Sequence, residues 1–256
     1  MNNLPSVVSE LVSEPHSSSN KSLRTSAFPF GSINPTEKFP TIEHPLRQYA
    51  WTTRQPGELP RIFDPGMQVV NWQRQENAVI TAYFQQASRR GGLGSGFRTI
   101  IQSGEHLKSS FLPDLPGQRA IVDDIFLLSN VYADLLGCDT VGLRLELLDN
   151  AMCPRFHVDR TGIRLVCTYR GPGTEWIDDR WIDRSKLGAG SNGFPDEASG
   201  LYDGRTIVKT AAPFDVVFCK GSLWQGNEGR GAIHRSPAVE PQNGPRILMV
   251  MDAIWN

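Results

Sequence analysis

The sequence predicts an α+β chain: N-terminal helices packed on a C-terminal double-stranded β-helix, a jelly-roll or cupin-like barrel. Three observations predict it. Apolar residues recur at helical spacing between residues 75 and 136, alternate with polar ones in short stretches from residue 140 onward, and these stretches are divided by Gly-, Pro- and Asn-rich turns.

Residues 1–60 are rich in Ser, Pro, Asn and Thr with few apolar anchors, the composition of a largely irregular tail. Residues 61–256 are expected to form one domain, helical over 61–139 and barrel-like over 140–256. Val79, Ile80, Tyr83, Phe84 and Ala87 line one face of a helix over 75–88. Ile121, Ile125, Leu128, Tyr132 and Leu135 do the same over 121–136, with Gly137 as the stop. Between the helices, "GGLGSG" (91–96) follows a helix, lacks the Lys-Ser/Thr of a phosphate-binding loop and is expected to be a turn. "TVGLRLELL" (140–148) alternates Val141, Leu143, Leu145 and Leu147 against Gly142, Arg144 and Glu146, the period of a strand. Residues 163–170, 205–210, 215–221 and 246–255 are further strand candidates. The polar, Gly-rich stretch 183–204 is expected to be a lid or binding loop, or else an exposed insertion.

Composition excludes several roles. Lys and Arg number 26 against 27 Asp and Glu, which leaves no footprint for nucleic acid, and no apolar run approaches the ~20 residues that cross a bilayer. The N-terminus lacks a basic start followed by a long apolar stretch, so a cytoplasmic protein acting on a small molecule is expected. Four scattered cysteines without a C-x-x-C are expected to be buried free thiols.

The chemistry concentrates in "CPRFHVDRTG" (153–162). On an extended segment His157 and Asp159 point the same way, so imidazole and carboxylate can converge on one ion. His234, 75 residues downstream in "GRGAIHRSP", is a candidate third ligand because a closed barrel makes remote strands neighbours; His16, His44 and His106 fall outside the predicted barrel. Two His and one carboxylate on one face of an octahedral ion leave three positions open, the arrangement of non-haem Fe(II) oxygenases. Zinc suits the same residues, and Cys153, four residues before His157, could close such a site. The bland alternatives are that Glu175, Arg144 and Lys220 are paired or solvated charges, that Glu228 marks a tight turn, and that Trp176, Trp181 and Trp224 are core or pocket walls. Arg235, adjacent to His234, should face away and form an ion pair.

H-x-D, a distal His and an Arg at the start of the next strand, here Arg246, resemble the Fe(II)/2-oxoglutarate-dependent dioxygenases over residues 140–255. The resemblance implies iron at His157, Asp159 and His234, and 2-oxoglutarate held by Arg246, whose planar fork suits a carboxylate. It also implies a substrate oxidised under the 183–204 loop. In place of the Ser that often follows that Arg by two positions stands Leu248, so a hydroxyl helper for the co-substrate would come from Tyr169 or Thr168. More closely, "CPRFHVD", "YRGPGTEW" and "CKGSLWQGNEGRGAIHRSP" resemble the signature blocks of a bacterial family of uncharacterised proteins, with no reaction implied.

Overall fold

Two-residue alternation gives each central strand one apolar face and one face free for other uses. In the computed structural model, which describes residues 48–204 and 206–255, β4 (Thr140–Leu148) buries Val141, Leu143 and Leu145 on one side. β5 (Ile163–Arg170) directs Leu165, Cys167 and Tyr169 into that same apolar core, and Arg164, Val166 and Thr168 to the opposite face. β10 (Arg246–Ile254) lies antiparallel between β4 and β5, with Met249 opposite Leu145 and Cys167.

These strands belong to a seven-stranded sheet of order β1-β2-β8-β5-β10-β4-β3, where β8 is Val216–Lys220. Three of its members precede residue 140, which corrects the expected split between a tail, a helical part and a barrel. β1 (Ala50–Thr53) falls within the stretch read as tail, while β2 (Val69–Trp72) and β3 (Gly96–Gln102) fall within the stretch read as helical. Their residues show little alternation because pairing partners hold them: β1 runs parallel to β2, β2 antiparallel to β8, and β3 antiparallel to β4. The remainder of the expected tail, residues 1–47, lies outside the described residues. The "GGLGSG" stretch is a turn that delivers the chain into β3. At its end Gly96 has φ +102°, and a Cβ there would sit 1.9 Å from the carbonyl oxygen of Leu145.

Two helices accompany the sheet. Asn77 caps α1 (Ala78–Arg89) by accepting from the amides of Val79 and Ile80, and Gly137 ends α2 (Gln118–Leu136) with φ +65°. Ile80, Phe84, Ile125 and Tyr132 share one buried cluster with Leu143, Leu165, Phe218 and Met249, and the Tyr132 hydroxyl donates to the carbonyl of Ile163 at 2.6 Å. No described helix is long and apolar enough to cross a membrane.

A second, three-stranded sheet has the order β7-β6-β9, from Lys209–Thr210, Glu175–Ile177 and Ile233–Arg235. Of the strand expected over 205–210, Lys209 and Thr210 pair, both exposed, and the described residues 206–208 do not. Strands of two or three residues are too short for alternation to announce them. Close approach does so instead: a Cβ on Gly173 would lie 2.2 Å from the carbonyl oxygen of Ala211. The 183–204 stretch folds into short 3-10 turns pinned by a bridge between Ile182 and Tyr202. It is anchored through Leu201, which packs with Phe156, Ile177 and Ile233, and through Asp196, whose carboxylate accepts from the amide of Phe156 at 2.8 Å.

Candidate metal centre

The segment carrying H-x-D pairs with β9 through a single bridge. The amide of His157 donates to the carbonyl of His234 at 3.0 Å and the reverse bond measures 3.1 Å. Directly opposed residues bring the two imidazoles to 4.5 Å between ring centroids. Asp159, two positions on, reaches both: its Oδ1 lies 3.4 Å from Nε2 of His157 and its Oδ2 lies 3.4 Å from Nε2 of His234. The three candidate ligand atoms fall within 4.8 Å of one another, the only such group of His, Cys, Asp or Glu among the described residues.

Each ring is oriented from behind. Nδ1 of His157 bonds the carbonyl of Arg155 at 2.9 Å, and Nδ1 of His234 bonds that of Ala232 at 3.0 Å. A carbonyl only accepts, so Nδ1 carries the hydrogen and the Nε2 lone pair faces Asp159. Two lone pairs and a carboxylate aimed at one point repel unless a proton or a metal ion lies between them. A divalent ion fits this donor set. Burial pulls His157 down, but its bond to Asp159 and the Arg155 carbonyl outweigh this and leave it raised. Burial pushes Asp159 up, yet the two imidazoles and the charge of Arg164 hold it well below the usual carboxylate range. Arg164 donates to Asp159 from Nη1, and forks onto Asp252 at 2.8 and 2.9 Å.

Arg246 opens β10 at 1 % exposure. Nε donates to the carbonyl of Pro172 at 2.8 Å, and Nη2 donates to the hydroxyls of Thr168 and Thr174 at 3.0 and 3.2 Å. No carboxylate forms an ion pair with it among the described residues. Burial accordingly pulls it down to about 10, against only partial support from Glu175. Arg246 and the triad line one cavity of about 410 Å³, floored by Val166, Leu248 and Val250.

Tyr169 does not reach this cavity. Strand parity turns it to the helical side, where it is buried against Phe84 and Phe214 and its hydroxyl donates to Asp124 on α2 at 2.7 Å. Thr168, one residue earlier, faces Arg246, as does Thr174, which sequence reasoning missed. The 183–204 stretch contributes no residue to the cavity lining and braces the H-x-D segment from behind instead. Cys153 is exposed at the cavity and stands outside the ligand group, and Cys138, Cys167 and Cys219 are buried. Arg235 pairs with Glu175 and Asp196 at 2.7 and 3.2 Å, and Glu228 lies on the surface. Arg164, Asp252 and Thr174 left no local trace in the sequence, because cross-strand register and the turn after β5 bring them to the site.

Solved structures similar to this chain include two dioxygenases and a hydroxylase, all at low identity. The rice dioxygenase for auxin oxidation is 15 % identical, with 80 % of this chain and 82 % of that one covered and a TM-score of 0.41. A Pseudomonas putida prolyl-4-hydroxylase is 12 % identical over 78 % and 98 %, TM-score 0.41. An Arabidopsis thaliana dioxygenase for auxin oxidation, solved as a binary complex with 2-oxoglutarate, is 9 % identical over 81 % and 92 %, TM-score 0.43. No curated protein matches the sequence. The family model that does match spans residues 53–252 and is described as "Protein of unknown function (DUF1826)"; the chain belongs to that family.

Proposed function

We propose that this protein is an Fe(II)/2-oxoglutarate-dependent oxygenase acting on a small molecule, its two sheets forming a jelly-roll barrel. One observation carries the reading: three converging ligands and a buried arginine without a counter-ion share one cavity. His157, Asp159 and His234 would hold the metal and leave its remaining positions open. Bound Fe(II) with 2-oxoglutarate would supply the use of O2 as oxidant, one oxygen atom passing to the succinate left when 2-oxoglutarate loses CO2 and the other to a substrate C–H bond.

The chain's own residues do the positioning. Arg246 receives the far carboxylate of the co-substrate through N–H groups left over from its bonds to Pro172, Thr168 and Thr174. The Thr168 and Thr174 hydroxyls accept from the guanidinium, so each keeps its own proton to donate to the same carboxylate. Arg164 keeps Asp159 ionised and turned toward the histidines. Val166, Leu248 and Val250 exclude water between Arg246 and the triad.

Anaerobic Fe(II) titration with 2-oxoglutarate tests this. A visible charge-transfer band is expected in wild type and absent in His234→Ala. Arg246→Ala should weaken 2-oxoglutarate on the order of 10²-fold, since it removes a buried charge partner. Absence of the band in wild type, with stoichiometric zinc in the purified protein, would replace the oxygenase with a zinc protein on the same triad.

A further inference from the structure

β3 and β4 set two arginines directly opposite one another on the cavity wall. Arg98 pairs in register with Arg144, and both line the space that holds the triad and Arg246. Like charges facing each other across an antiparallel pair cost stability unless an anion lies between them. Glu146 relieves this only in part, because a single oxygen serves both arginines. That oxygen accepts from Nη2 of Arg98 at 3.0 Å and lies 3.5 Å from Nη1 of Arg144, while the other oxygen is buried. Arg144 also stands 4.0 Å from Asp252, which the fork of Arg164 already holds, and its guanidinium makes no hydrogen bond among the described residues. Its side chain keeps 23 % of its surface and that of Arg98 keeps 72 %, so a ligand can touch both. The other cations of the lining are engaged: Arg164 with Asp252 and Asp159, Arg235 with Glu175 and Asp196, and Arg246 with the place of the co-substrate.

We infer that Arg144, with Arg98 at the rim, receives an anionic group of the substrate, a carboxylate or a phosphate, on this wall of the cavity. The inference rests on the oxygenase reading and names its substrate class, a small organic anion. Planar guanidinium forks match the paired oxygens of either group. A cation would be repelled by both arginines. A neutral molecule that excluded water would leave the N–H groups of Arg144 without an acceptor. Val250 lies opposite Arg144 and Val166 opposite Val250, so an apolar strip runs from the guanidinium across the sheet and is suited to the uncharged part of the molecule. Contacts of Arg144 with Asp252, Asp252 with Arg164 and Arg164 with Asp159 tie this wall to the metal ligands. A cavity of about 410 Å³ shared with a co-substrate keeps the ligand small.

Thermal-shift titrations of the full chain test this, with Fe(II) and saturating 2-oxoglutarate under nitrogen. A parallel series uses chelator and Arg246→Ala, which removes the cavity's other unpaired cation. The probes are butyrate, benzoate, butyl phosphate and phenyl phosphate, each beside its uncharged counterpart (butyramide, benzamide, butanol and phenol). One series of anions should bind about tenfold or more tighter than its counterparts, and which series does so tells a carboxylate from a phosphate substrate. Arg144→Gln should bring that ratio to about one, and Arg144→Lys should restore part of it. The affinity for 2-oxoglutarate, read from the charge-transfer band, should stay within about twofold of wild type in both. The ratios are internal to each protein, so lost stability in a variant does not mimic them. Equal binding of charged and uncharged forms up to about 10 mM, or a ratio that survives Arg144→Gln, would overturn the inference. So would a loss of 2-oxoglutarate binding in Arg144→Gln as large as that in Arg246→Ala, which would assign Arg144 to the co-substrate. A missing charge-transfer band in wild type would overturn the oxygenase reading alone, and the chelator series would still decide the anion subsite.

Discussion

Lys220 is 2 % exposed, and its ammonium donates to the carbonyl of Asp64 at 3.0 Å without an ion-pair partner among the described residues. Burial, reinforced by Arg230, pulls it from 10.5 to about 8. Between those values the unfolded chain holds a proton that the folded chain has released, so this residue's contribution to stability rises with pH across the window, and its full cost is present below 8. Lys220→Met should therefore be more stable than wild type at pH 7 by about 1–3 kcal/mol, the difference shrinking toward pH 10.5. Urea unfolding at pH 7 and pH 10 checks this, and a gain independent of pH would refute it. At this scale the placing of His157 beside Asp159 and of Arg246 at the start of a strand was legible, because i, i+2 parity and an Arg opening a strand are local facts, whereas the meeting of His234 with them rested on the expectation that remote strands become neighbours. Tyr169 was misplaced by the same parity, since it neighbours the residue that faces the site. Arg164 carried no sign of its role, which comes from Asp252 on β10, 88 residues away.

The H-x-D segment and β9 are held together by one bridge, and Gly231 decides how closely they approach. Its φ is +120°, and a Cβ would fall 2.4 Å from Cγ1 of Val158, a branched side chain with little room to turn. Gly231→Ala should cost about 1–3 kcal/mol and, by forcing His157 and His234 apart, weaken Fe(II) by about tenfold; unfolding and metal titrations on one preparation would read both. α1, α2 and β4 were legible from the sequence because length and periodicity reinforce each other over 9 to 19 residues. β6 and β9 were not, because three residues cannot display a period, and the edge strands β1 and β3 depend on pairing.

Across the whole molecule, β5 and β10 serve two purposes at once: one face builds the core with the helices, and the other carries Arg164, Thr168 and Arg246. The triad joins this sheet, through Arg164 and Asp252, to the small sheet that carries His234. A metal ion that binds only this folded arrangement stabilises all of it. Saturating Fe(II) under nitrogen should raise Tm by about 5–10 °C, an effect removed by chelator and absent in His234→Ala. An equal shift in that variant would place the stabilising ion elsewhere.

Cys153 gives the cavity an optical handle. It is the only exposed thiol of the four, and it lies on the lining beside Met152 and Ser236. Burial of the other three steers a thiol-reactive fluorophore to this one position, a few residues from His157. An environment-sensitive dye attached there would change brightness as the cavity fills, turning occupancy into a signal that can be followed in real time without knowing the reaction.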